Sequence, residues 1–251
     1  YTLAESFYLA LPYLSWQAVV FGDPLARATD GPAPAAEVPT AGDTSGVTPF
    51  VARSASVLRN RQPALGEQAA RLLVRANLSI AAGRPADAGE LLEQVTVLAP
   101  GYTGAHFLLG QHYEAEGKHE LARARYLRVL QAEPAHVIAL NNLAYNLAVH
   151  AGKVAEALPI AERAARLAPD APEVLDTVGW IRHLAGDSRR ALDSLRQATS
   201  RNASMCESWA HLAVAERAAG SAPAARAAAD KAISCDPALG SSALLQDVKN
   251  W

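Results

Sequence analysis

The chain has 251 residues, of which 50% are hydrophobic, 19% charged and 6% aromatic, and its formal net charge is -2. Alanine alone fills 55 positions, a composition that suits closely packed helices and excludes a β-sandwich or barrel, which needs more β-branched and aromatic residues. A near-neutral balance without a basic stripe excludes nucleic acid as a partner.

Residues 1–28, YTLAESFYLALPYLSWQAVVFGDPLARA, are dense in aromatics, with Tyr1, Phe7, Tyr8, Tyr13, Trp16 and Phe21. The pattern predicts a helix around Leu3 to Leu11, a turn, and a short strand around Ala18 to Phe21 that Gly22-Asp23-Pro24 ends. So short a segment cannot build its own core, so it reads as the C-terminal remnant of an upstream α/β domain. A chain that opens on Tyr1 is expected to be part of a longer protein or a processed form whose signal peptide has gone. The run SWQAVVFGDPL resembles the C-terminal end of an uncharacterised bacterial family related to gingipain-like and caspase-like folds. That resemblance implies a catalytic Cys-His pair upstream, since no Cys precedes Cys206 here. Residues 29–49 hold four prolines and three glycines and read as a flexible or extended linker.

A helix is expected over Val51 to Arg61, interrupted at Gln62-Pro63, with the first repeat helix beginning near Ala64. From there a repeat organises the chain. Gly83, Gly117, Gly152, Gly186 and Gly220 are spaced by 34, 35, 34 and 34 residues, and five positions after each stands Ala88, Ala122, Ala157, Ala191 or Ala225. A small residue precedes each glycine: Ala76, Gly110, Ala144, Gly179 and Ala213. Pro100, Pro134, Pro169 and Pro237 follow the second helix in four units, and Ala203 stands there in the fourth. Glycine reverses the chain at φ > 0, the small pair lets two helices approach, and proline stops the second helix. Each unit is thus two antiparallel helices, and the third carries one extra residue between Leu147 and Gly152.

This pattern resembles the tetratricopeptide repeat (TPR), most closely in the second unit through Leu109, Gly110, Tyr113, Ala122, Tyr126 and Pro134. The resemblance places units at 69–102, 103–136, 137–171, 172–205 and 206–239. It implies an all-α, right-handed superhelix of five helix-turn-helix repeats over 50–251, in which stacked units share one core. Residues 240–251 are expected to cap it, with Ser241 or Ser242 as N-cap and Leu244, Leu245, Val248 and Trp251 covering the last unit. The family's groove-facing positions fall on Asn77 and Ile80; Phe107, Gln111 and Glu114; Ile138, Asn141 and Tyr145; Glu173, Asp176, Trp180 and His183; and Glu207, Ala210, Val214 and Arg217. Of these, Phe107, Gln111, Asn141, Tyr145, Asp176, Trp180, His183 and Arg217 are the expected partner-binding residues. Tyr145 and Trp180 stand at equivalent places on adjacent units. Leu73 and Phe107 replace the lysines that the family's clamp for an acidic chaperone tail requires, so a basic or neutral partner segment is expected.

Cys206 and Cys235 open and close the two helices of the last unit, where antiparallel pairing allows a disulfide; two separately buried thiols are the alternative. No pair of the seven histidines has helical metal-site spacing and no HExxH occurs, so no metal and no cofactor are expected. A Gly-rich phosphate loop and a GxSxG elbow are also lacking, so no catalytic residue is assigned. No stretch reaches the roughly 18 apolar residues of a membrane span. The expected function is a non-enzymatic scaffold that binds a partner protein or peptide through the concave groove, with self-association through residues 1–28 or the solenoid ends as a further contact. The alternative is a C-terminal recruitment or regulatory region of a peptidase-like protein. A periplasmic or cell-envelope location is favoured over a cytoplasmic one.

Overall fold

The structure, a computed structural model, describes residues 49–249. The readings for residues 1–28, for the linker up to residue 48 and for Trp251 lie outside the described residues, as do the side chains from residue 247 on, Val248 among them. Every described element is helical, and no strand occurs among the described residues.

Residues 49–102 form one unit and residues 103–249 another. The first holds α1 (Pro49–Arg61), α2 (Glu67–Ala81) and α3 (Pro85–Leu98). Pro63 cannot donate a backbone hydrogen bond, so the chain leaves α1 in a turn closed by the Leu65 amide on the Gln62 carbonyl (2.9 Å). The turn lasts to Gly66, and α2 therefore starts at Glu67 rather than near Ala64. Leu65, fully buried, joins Val51, Ala55, Ala69 and Leu73 in the core of this unit.

The second unit begins with α4 (Thr103–Ala115) and α5 (His119–Ala132). It continues with α6 (Val137–Tyr145), which runs into a π-helical turn (Asn146–His150), and α7 (Val154–Leu167). Then come α8 (Pro172–Leu184), α9 (Ser188–Arg201), α10 (Cys206–Ala218) and α11 (Ala222–Cys235). Each odd helix of this series packs against the even helix before it, and α6, α8 and α10 also touch in succession. A 3₁₀ turn (Pro237–Ser241) leads to α12 (Ala243–Lys249), which packs on α10 and α11. Leu244 and Leu245 reach the last core cluster. The Ser242 hydroxyl, just before α12, donates to the Leu239 carbonyl at 2.8 Å.

The recurring glycines lie at the hairpin turns with φ between 67° and 84°, which a Cβ disfavours. The small residues sit where helices cross. At Gly110 an added Cβ would stand 2.6 Å from the Tyr126 ring, and at Gly179 it would stand 2.8 Å from Leu195. The third hairpin differs. In the other four, the amide after the glycine bonds a carbonyl five residues back, as from Lys118 to Tyr113 at 2.8 Å. Here Lys153 bonds Leu147, six residues back, at 2.8 Å. The extra residue is thus absorbed as a π turn at the end of α6.

Candidate functional site

The first helices of the four hairpins in residues 103–249 carry a cavity of about 400 Å³. Glu114 comes from α4, Asn141, Asn142 and Tyr145 from α6, Glu173, Asp176 and Thr177 from α8, and Glu207 and His211 from α10. His119 at the start of α5, His150 in the π turn and Met205 just before α10 complete the lining. Four of these residues carry carboxylates and none is Lys or Arg.

The carboxylates are held in different ways. Asp176 is buried, and its two oxygens lie 3.0 and 3.1 Å from His211 Nδ1. Glu173 and Glu207, in the first turns of α8 and α10, are exposed and complement the positive ends of their helices. Asn146, fully buried in the π turn, donates through Nδ2 to Glu114 Oε2 at 3.0 Å and to the His119 carbonyl at 3.0 Å. Arg123 Nη1 donates in turn to Asn146 Oδ1 at 3.2 Å. Glu114 Oε1 stands 3.2 Å from His119 Nδ1 and 3.3 Å from His150 Nε2, and the two imidazoles stack with centroids 3.5 Å apart.

The electrostatics follow from this crowding. Burial pushes the Tyr145 phenol above its usual pKa, and the carboxylates of Glu207, Asp176 and Glu114 push it further. Burial also raises Tyr126 to about 12, against the hydrogen bond from Asn142 and with Glu114 adding to the rise. Burial lowers His150, neighbouring His119 lowers it further, and Glu114 opposes both. The lining carboxylates thus act on Tyr145 and His150, with burial the larger cause at both. Asn141 Oδ1, covered from solvent, meets no donor among the described residues.

Of the expected partner-binding residues, Asn141, Tyr145 and Asp176 meet in this cavity. Trp180 does not present its ring: it is 8% exposed and stacks with both His211 (centroids 4.4 Å) and His183 (5.1 Å). Phe107 packs on His136 at 5.0 Å and Tyr126 at 6.3 Å, away from the cavity lining. Gln111, His183 and Arg217 are not part of that lining either. Cys206 and Cys235 are joined by a disulfide, with Cα atoms 5.4 Å apart. The family's groove-facing positions do not include His119, His150 or His211, which the cavity does. His119 belongs to a second helix, outside the first-helix pattern, and the only signal for His150 was the extra residue in its repeat.

The tetratricopeptide-repeat family matches residues 79–147 and again residues 185–239. A TPR repeat-containing protein of Pseudomonas aeruginosa is 39% identical over 89 residues, a segment that is 35% of this chain and 15% of that protein. The match thus spans well under a fifth of that relative's length. Among solved structures, MamA from Desulfovibrio magneticus RS-1 (residue 41 to its end) superposes with a TM-score of 0.59 at 16% identity, over 70% of this chain and 99% of that one. YrrB, described as a TPR protein with an unusual peptide-binding site, gives 0.58 at 18% identity, over 80% and 100%. A thermophilic TPR protein of Thermus thermophilus gives 0.57 at 20%, over 72% and 97%. At such identities the likeness is one of fold. The comparisons give no support to the resemblance of residues 1–28 to gingipain-like and caspase-like folds.

Proposed function

We propose, on the premise that residues 79–239 carry tetratricopeptide repeats, that this chain is a non-enzymatic interaction module that takes a basic segment of a partner protein into the cavity lined by α4, α6, α8 and α10. The observation that carries this reading is the ring of Glu114, Glu173, Asp176 and Glu207 with no Lys or Arg in the lining. Such a ring attracts Lys and Arg side chains and repels an acidic tail. Tyr145 offers half-buried aromatic surface beside it. YrrB, by its description a TPR protein with a peptide-binding site, supplies a precedent for this use of the fold. The Cys206–Cys235 disulfide favours an oxidising compartment, in keeping with a periplasmic or cell-envelope location.

Selection from a library of short random peptides against the purified chain tests the reading. Enrichment of Lys- and Arg-bearing sequences, weakened by added salt, is expected. Enrichment of acidic sequences, or none at all, would overturn it.

A further inference from the structure

The cluster at one end of the cavity adds two imidazoles to Glu114, a chemistry that attraction of a basic segment does not need. Glu114, His119 and His150 each offer one donor atom, and these atoms all lie within 4.8 Å of one another. A tetrahedral divalent ion with bonds of about 2.1 Å holds its ligands roughly 3.4 Å apart. The carboxylate oxygen stands 3.2 Å from one ring nitrogen and 3.3 Å from the other, close to that spacing. Two imidazoles and a carboxylate are a donor set for borderline transition-metal ions and a poor one for magnesium or calcium, which prefer oxygen throughout.

Support around the carboxylate donor is also in place. Asn146 is 0% exposed and grips the Glu114 carboxylate, while Arg123 fixes the amide from its other side. Ligand carboxylates of metal centres are held by hydrogen bonds of this kind. The π turn supplies both parts of this arrangement, Asn146 at its start and His150 at its end. The rings now stack within 6° of parallel, so their nitrogens do not point at one shared position. Splaying them is a side-chain rotation open to two imidazoles whose side chains are 33% and 27% exposed.

We propose that Glu114, His119 and His150 form a binding site for a divalent transition-metal ion, zinc being the reference ligand. The ion ties the α4–α5 turn to the end of α6 and leaves its remaining coordination positions toward the cavity. This inference shares Glu114 with the peptide reading but is tested apart from it, because the ion needs no partner chain to bind.

Zinc titration of the full chain by calorimetry, without peptide, tests it. One zinc per chain is expected, with a rise in thermal midpoint on saturation. Cobalt as a substitute should show the visible bands of an ion in a low-symmetry nitrogen and oxygen environment. His150→Gln, which keeps the bulk of a partly exposed side chain, should weaken zinc binding roughly tenfold or more, and His119→Ala with His150→Ala should abolish it. Far-UV circular dichroism identifies any variant that has lost its helices, and His150→Gln then decides alone. His112→Ala, which removes a separate imidazole paired with Glu116 at 3.4 Å, should leave binding unchanged. Absence of a saturable site, unchanged affinity in the folded His119 and His150 variants, or loss through His112→Ala would each overturn the proposal.

Discussion

Tyr145 and Trp180 occupy the same register on neighbouring hairpins and do different things. Tyr145 stays half-buried in the cavity, whereas the indole of Trp180 is closed in by two imidazoles, one of them supplied by α10. Trp180→Ala should therefore cost about 3–5 kcal/mol of stability by opening a void between α8 and α10, read as a shift of the denaturant midpoint. A variant of unchanged midpoint that only loses partner binding would show that the ring is a contact surface after all. His183, also stacked on that indole, has its pKa lowered from 6.5, first by burial and then by neighbouring His211. The unfolded chain consequently binds more protons than the folded one between the lowered value and 6.5. Stability rises with pH across that window and falls as pH drops through it. The thermal midpoint should decline from pH 7 toward pH 5, and His183→Gln should flatten the decline. An identical pH profile in the variant would refute the assignment.

At the scale of the helix and the hairpin, much was legible in the sequence. Small side chains at the crossings and glycines at the turns have strict local requirements, so Gly110 against Tyr126 and the positive φ of Gly152 could be read one repeat at a time. The start of α2 was not, because Leu65 is drawn into the core and holds the chain in a turn for longer than Pro63 alone demands. The metal-ligand cluster was not legible either. Its members are spread over 37 positions and meet where one inserted residue becomes a π turn, and no spacing rule within a single helix covers that case. Burial of Trp180 likewise depends on His211, which lies on the next hairpin. The disulfide sits between these extremes, its geometry following from the antiparallel pairing of α10 and α11. With a sequence separation of 29 between its cysteines, it should stabilise by about 3–4 kcal/mol through the unfolded state. Cys206→Ser with Cys235→Ser should lower the denaturant midpoint correspondingly and make it insensitive to reductant. A midpoint equal to that of the oxidised parent would contradict the bond's role.

At the scale of the whole molecule, a net charge of only -2 conceals how charge is distributed. Four carboxylates converge on one cavity, while the arginines lie elsewhere, many in pairs such as Arg196 with Glu216 at 2.7 Å and Arg182 with Glu162 at 3.1 Å. Composition therefore says little about the partner, and the placement of charge on the inner helices says more. Glu173 and Glu207 are the exposed members of the ring and can be reversed without disturbing the core, at a cost of about 1 kcal/mol each for the lost helix-end complement. The direct measurement is the affinity of a selected basic peptide for the parent chain and for the variant Glu173→Lys with Glu207→Lys, both by calorimetry at low salt. A loss of roughly tenfold or more, equivalent to about 1.4 kcal/mol, with helical content preserved is the predicted result. Equal affinity for the two proteins would contradict the account.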